Sequence, residues 1–242
     1  MIQMKNDNEF FMLKIIESAG YPVGSGIISE KLKGYGFNIS EATVGRTLRE
    51  LDSKGYTTKI GFRGRTLTAK GRNMLNNLKQ EYELKQYGNE LISLLKAENK
   101  KELIDILIAR KAIESELTRL ATINAEERDI KILQNIIKSH DRHVDDIVVG
   151  GVYDVKFHKY IAKMAQNKVL EAAMGLIRKQ DQLSPILGYM RKKVKSTVVS
   201  DHKEILKAMI KKDPEVAEKA MVTHIENLIR DVNKYWEKAD FI

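Results

Sequence analysis

The sequence predicts a mainly α-helical chain in two parts. A winged helix-turn-helix with a small β-hairpin wing occupies residues 1–72, an all-α bundle occupies residues 90–242, and a helical linker over residues 73–89 joins them. Three observations predict this. Short amphipathic stretches punctuated by glycine and proline open the chain, two β-prone runs follow around GFRG, and from about residue 72 onward apolar stripes of helical period recur with no convincing strand.

In the first part, EFFMLKIIES sets Phe10, Leu13 and Ile16 on one stripe and stops at AGYPVG. SGIISEKLKG places Ile27, Ile28 and Leu32 together and closes at GYGFN. In SEATVGRTLRELDSKGY, Ser40 is a natural N-cap, and Val44, Leu48 and Leu51 fall at the spacing of a buried stripe. The opposite face carries Glu41, Thr43, Arg46, Thr47 and Arg49, the polar and basic surface expected of a recognition helix in the major groove. The runs Tyr56 to Ile60 and Arg65 to Ala69 around GFRG read as a hairpin with a basic tip. On this reading Thr43, Arg46, Thr47 and Arg49 face DNA from the helix, and Arg63 and Arg65 meet phosphates or the minor groove from the wing.

Charge agrees with that placement. The chain of 242 residues carries a net +9, but residues 1–80 hold 13 Lys+Arg against 7 Asp+Glu, which concentrates the excess at the front. There is no cysteine, so disulfides, thiolate metal sites and a cysteine nucleophile are excluded, and any metal must be held by His, Asp or Glu. No apolar run approaches the roughly 18 residues of a membrane span, and the first residues lack the pattern of a secretion signal, so a cytoplasmic protein is expected.

The second part reads as six or seven helices. ELIDILIARKAIESELTRLAT offers Leu103, Leu107, Ile113, Leu117 and Leu120, and the next helix carries Ile130, Leu133, Ile136 and Ile137. DVKFHKYIAKMA, NKVLEAAMGLIRKQDQL, STVVSDHKEILKAMIKK and DPEVAEKAMVTHIENLIRDVNKYW continue the bundle, with Asp213 capping and Pro214 at the first position of the last helix. Asp154 and His158, at i and i+4, share one helix face. His202 and His224 flank the turn at Lys212-Asp213-Pro214 at similar distances, so antiparallel helices bring them level. One carboxylate and three imidazoles suit zinc, nickel, iron or manganese better than calcium or magnesium. A rival cluster, SHDRHVDD with His140, His143, Asp145 and Asp146, reads as the solvated end of a helix with no second element to complete it.

Two resemblances follow from these stretches. YPVGSGIISEKLKGYGFNISEATVGRTLRELDSKG with GFRGRTLTAKG resembles the winged helix that precedes ribonuclease R-like and archaeal regulator chains. IARKAIESELTRLA, DVKFHKYIAKMAQNKVL and DHKEILKAMIKKDPEVAEKAMVTHI together resemble the FCD effector domain of the FadR-type GntR transcription regulators, over roughly residues 90 to 238. The head lacks the Pro-Ser-Glu-Arg run usual before the recognition helix of GntR regulators, so head and body resemble different relatives. The FCD resemblance implies that Asp154, His158, His202 and His224 are ligands of a divalent metal and that a small carboxylate effector completes its shell. Arg110 and Arg178 are the residues expected to face the effector's charge. The spacing of Arg110 and Glu114 fits an exposed i,i+4 pair equally well. The expected function is a ligand-responsive, homodimeric regulator of a double-stranded DNA operator rather than an enzyme. The alternatives are a metal-only sensor and, further off, a metal-dependent hydrolase.

Overall fold

The computed structural model describes residues 2–178, 183–196 and 198–239, and the chain divides into two compact units, Met1–Glu90 and Leu91–Ile242. The first unit contains α1 (Ile2–Ala19), α2 (Ser25–Lys33), α3 (Glu41–Ser53), β1 (Thr57–Lys59), β2 (Arg65–Leu67) and the greater part of α4 (Ala69–Leu94). The second contains α5 (Lys100–Asn124), α6 (Glu127–Arg142), α7 (Ile147–Met164), α8 (Lys168–Arg178), α9 (Leu183–Lys193), α10 (Val199–Ile210) and α11 (Pro214–Ala239). The fold is a winged helix-turn-helix followed by an all-α bundle.

In the first unit Ser40 caps α3 by accepting from the Thr43 amide at 3.3 Å, and Val44, Leu48 and Leu51 are buried as the stripe predicts. On α2 the burial falls on Ile28 and Leu32, while Ile27 turns outward, because only the i,i+4 pair shares the inward face. Leu75 and Leu78 pack into the same core as α1 to α3, and Lys85 pairs with Asp7 at 2.7 Å, so much of the stretch 73–89 belongs to the head's own packing.

The wing is a short antiparallel ladder with Thr57 opposite Leu67 and Lys59 opposite Arg65. It is fastened at its base by a bridge between Val23 and Arg65, whose amides and carbonyls exchange bonds of 2.9 Å. That approach requires Gly64. Its φ is +124°, and a Cβ there would overlap the backbone of Val23. Gly64→Ala is therefore expected to cost at least about 2–3 kcal/mol, read as a lower thermal midpoint of the head with the second unit unchanged.

In the second unit Asn99 caps α5, and Asp146 caps α7 by accepting from the amides of Val148 and Val149 at 3.0 Å each. Asp213 accepts from the Val216 amide at 3.1 Å and starts α11 at Pro214. One helix was not expected. α9 lies between the stretches read as NKVLEAAMGLIRKQDQL and STVVSDHKEILKAMIKK, and Pro185 stands in its first turn, where a missing N–H breaks no helical bond. Residues 179–182 of the former stretch and Thr197 of the latter lie outside the described residues. Leu107, Phe157, Ile161, Ile205 and Ile225 meet in the middle of the bundle, and the polar cluster sits beside this core.

Candidate metal centre

Asp154 and His158 come from α7, His202 from α10 and His224 from α11, and one ligating atom of each lies within 4.8 Å of the others. The three histidines are buried. His158 Nε2 and His202 Nε2 stand 3.2 Å apart, and Asp154 Oδ1 lies 3.6 Å and 3.5 Å from them. Two donors bound at about 2.1 Å to one ion, subtending 90–110°, are separated by roughly 2.9–3.4 Å. The spacing of the histidine pair is that of neighbouring ligands in one shell.

The outer nitrogens of two of the three imidazoles are held by carboxylates, while His202 Nδ1 has no hydrogen-bond partner among the described residues. His158 Nδ1 contacts Glu114 Oε2, and His224 Nδ1 bonds Asp201 Oδ2 at 3.2 Å. A carboxylate on Nδ1 fixes the proton there and leaves the lone pair on Nε2 facing the cluster. Among the described residues His224 Nε2 is a buried nitrogen with no hydrogen-bond partner, as expected of an atom placed for an ion. His202 stacks on Phe157 with ring centroids 4.1 Å apart, which fixes its plane. The residues present fit a divalent transition metal bound by one carboxylate and three neutral imidazoles.

Behind the ligands lies a network of buried charge. Glu114 accepts from Arg110 Nε at 2.7 Å and from Arg178 Nη2 at 3.5 Å, and Arg178 Nη1 donates to Asp154 Oδ2 at 3.2 Å. Arg110 and Glu114 are 3% and 2% exposed, so the surface pair that their spacing also allowed is in fact a core element. Burial opposes ionisation of Glu114, but Arg110, Arg178 and His158 overcome it and hold the carboxyl well below the usual range. Asp154 is held low in the same way, burial being outweighed by Arg178 and His158. On the other side Asp201 accepts from Arg191 Nη2 at 3.0 Å and Asn227 Nδ2 at 2.9 Å, and Arg191 Nε donates to Asp231 Oδ2 at 2.8 Å.

A cavity of about 260 Å³ opens beside the cluster, lined by Asp154 and Arg110 and by residues of α6, α7, α9 and α11. Arg110 Nη2 has no hydrogen-bond partner among the described residues. Arg178 is not among the described residues that line the cavity, and its guanidinium is committed to Asp154 and Glu114. His140 corrects the reading of SHDRHVDD as a solvated helix end. It is 6% exposed, its ring centroid is 5.5 Å from that of His202, and it lines the cavity. The reason is Gly150 on α7, whose missing side chain lets the end of α6 approach. His143 stays exposed, and Asp146 is spent on capping α7.

These histidines give the metal-free protein a defined pH response. Burial pushes His224 down to about 4 against the raising effect of Asp201, and burial together with His224 and His158 pushes His202 well below its ordinary value. An unfolded histidine titrates near ~6.5, so the unfolded chain takes up protons first as the pH falls. Stability is complete above that value and is lost as the pH falls toward the folded pKa. His224 alone is expected to remove on the order of 2 kcal/mol between pH 6.5 and 5, measured as a lower urea midpoint of the chelated protein.

In the head, Arg46 and Arg49 are exposed on α3, Thr43 and Thr47 are half-buried on the same helix, and Arg46 Nη2 bonds Thr43 Oγ1 at 3.3 Å. Arg63 is exposed at the wing tip. Arg65 Nε donates to Asp52 Oδ2 at 2.8 Å, which ties the wing to α3. Sequence reasoning did not single out Asp201 or Arg191, and it set His140 aside as part of a solvated helix end. Asp201 immediately precedes the ligand His202, a position that could have flagged it, whereas Arg191 and His140 become neighbours of the site only through the packing of α9 and α6.

Residues 105–227 match the FCD domain, and residues 10–75 match the ribonuclease R winged-helix domain. Over 216 residues, 88% of this chain and 78% of the relative, the sequence is 26% identical to the Exu regulon transcriptional regulator of Escherichia coli (strain K12). It is 23% identical over 231 residues, 93% of this chain and 99% of the relative, to the HTH-type transcriptional regulator LutR of Bacillus subtilis (strain 168). The head alone, 66 residues or 27% of the chain, is 38% identical to 20% of the global nitrogen regulator NrpRI of Methanosarcina mazei.

Proposed function

Because this chain belongs to the FCD-domain family of GntR-type transcription regulators, we propose that its helical unit holds a divalent transition metal (zinc, nickel, iron or manganese) on Asp154, His158, His202 and His224 and through it binds a small carboxylate. The observation that carries this is the convergence of four ligating atoms beside a cavity lined by a buried arginine with an unpartnered nitrogen. When bound, the ion supplies a positively charged anchor with open positions for a carboxylate. Arg110 then donates Nη2 to the effector while its Nε stays on Glu114. Arg178 acts one step behind, holding Asp154 and Glu114 in their ionised, oriented state. A cavity with a donor of this kind favours an organic effector over a metal-only sensor.

The test is thermal unfolding against a panel of small carboxylates. Particular acids should raise the midpoint of the metal-loaded protein and leave the chelated protein unmoved; an equal response in both forms contradicts the reading.

The head supplies the output. Arg46, Arg49 and Arg63 are free to meet DNA from α3 and the wing, with Thr43 and Thr47 on the same helix, while Arg65 fixes the wing's angle through Asp52. A homodimer presents two such heads to a two-fold operator and gains affinity by doing so. No helix among the described residues is long and apolar enough to cross a membrane. Binding to duplex DNA should weaken steeply with salt, and Arg46→Ala and Arg63→Ala should each reduce the slope of log K against log salt by about 0.9. Binding indifferent to salt would contradict the DNA half.

A further inference from the structure

The wing ends on an apolar side chain. Phe62 is fully exposed, at 107%. The other phenylalanines among the described residues are packed: Phe10, Phe11 and Phe157 are buried, and Phe37 lies against Phe11 with ring centroids 5.2 Å apart. The backbone beneath the Phe62 ring is bonded into place. The Arg63 amide donates to the Ile60 carbonyl at 3.1 Å and the Ile60 amide to the Gly64 carbonyl at 2.8 Å, which closes a tight turn with Gly61 at φ +54° just before Phe62. Lower down, the bridge from Val23 to Arg65 and the ion pair of Arg65 with Asp52 hold the hairpin to the head. The ring is carried in solvent at the end of a braced hairpin.

Charge and shape select what meets that ring. From Ser53 to Gln80 the sequence contains no Asp or Glu, and Lys59 and Arg63, on either side of the tip, are both exposed. A segment that is basic throughout suits a polyanion. Paired strands stand about 4.8 Å apart and the minor groove of a duplex is about 6 Å wide and 7.5 Å deep, so a hairpin enters it tip first. An apolar ring brought there makes no hydrogen bond to base edges. It gains contact only by reaching between the stacked faces of base pairs, where apolar wedges act.

We propose that Phe62 is a wedge: its ring enters between two base pairs from the minor groove, unstacks them in part and kinks the duplex, while Lys59 and Arg63 lie along the phosphates beside it. This deepens the DNA half of the reading above and rests on it. It also gives the operator a feature that no base-edge contact supplies. Pyrimidine–purine steps, TA and CA/TG, unstack and kink most easily, so each half-site carries one where the wing enters. Specificity at that position comes from the ease of deforming the step, read by a side chain that forms no hydrogen bond.

The experiment is selection from a random duplex pool by the full-length wild type, Phe62→Ala and Phe62→Leu in parallel. Because the ring is fully exposed, both variants should keep the wild-type thermal midpoint. Wild type and Phe62→Leu should enrich a pyrimidine–purine step at one fixed position in each half-site, and Phe62→Ala should lose that preference. On the duplex selected by wild type, Phe62→Ala should bind at least about tenfold more weakly with an unchanged slope of log K against log salt, since no phosphate contact is lost. 2-Aminopurine placed at the enriched step should brighten with wild type and Phe62→Leu and stay dark with Phe62→Ala. Equal binding by Phe62→Ala, or 2-aminopurine that stays dark with wild type, would overturn the wedge and leave the wing as a phosphate contact. A loss of binding to the separated single strands with none on the duplex would place the ring on unpaired bases and overturn it as well. Selection of no duplex by wild type would overturn the DNA reading together with the wedge.

Discussion

Glu114→Ala is expected to destabilise the helical unit by about 3–5 kcal/mol. The carboxylate receives Arg110, Arg178 and His158 at once in a region closed to water, so its removal leaves Arg110 with no ionic partner and Arg178 with Asp154 alone. One buried guanidinium without an ionic partner, and a second left with one carboxylate instead of two, cost far more than the loss of a surface pair, for which the usual figure is about 0–1 kcal/mol. The measurement is urea unfolding, and Glu114→Gln, which keeps an acceptor in place, should lose less. The same substitution frees His158 Nδ1, and loss of an orienting carboxylate of this kind lowers metal affinity by about 10–100-fold. A change within 1 kcal/mol would mean that the pair is hydrated in solution.

Chelation is expected to have an effect of similar size. A ligand that binds only the folded chain stabilises it by RT ln(1 + [L]/Kd), about 4 kcal/mol at a thousandfold excess over Kd. The ion ties α7, α10 and α11 together, three helices otherwise held at this point by apolar packing and by the bonds of Asp201 to His224 and Asn227. Chelated protein should therefore unfold several degrees lower. Cooperative re-addition of one equivalent of metal should restore the midpoint, and an unchanged midpoint would mean that the cluster binds nothing tightly.

Much of this was legible in the residues because the relevant signals are local. Ser40 as a cap, the stripe Val44, Leu48 and Leu51, and the glycine-bounded hairpin are each set by short-range geometry. The i,i+4 pair Asp154 and His158 is fixed by helix periodicity, and the short turn before Pro214 brings His202 and His224 level, with ring centroids 4.9 Å apart. What was not legible depends on which faces meet. His140 has the polar neighbours of a surface helix end, and only the close approach permitted by Gly150 buries it. Arg191 lies on α9, a helix that opens with a proline in its first turn and offers a weak pattern by itself, yet it bridges Asp201 and Asp231 from elements ten and forty residues away. Arg65 and Arg178 look like free cations in the sequence. Their partners, Asp52 and the pair Asp154 and Glu114, are supplied by tertiary packing.

The central claim is that Asp154, His158, His202 and His224 hold one ion, and metal content tests it most directly. Full-length protein loaded with a transition metal and dialysed to remove excess should retain about one ion per chain, and His202→Ala, treated alongside it, should retain little. Wild type that retains none, or a variant that retains as much as wild type, would contradict the account.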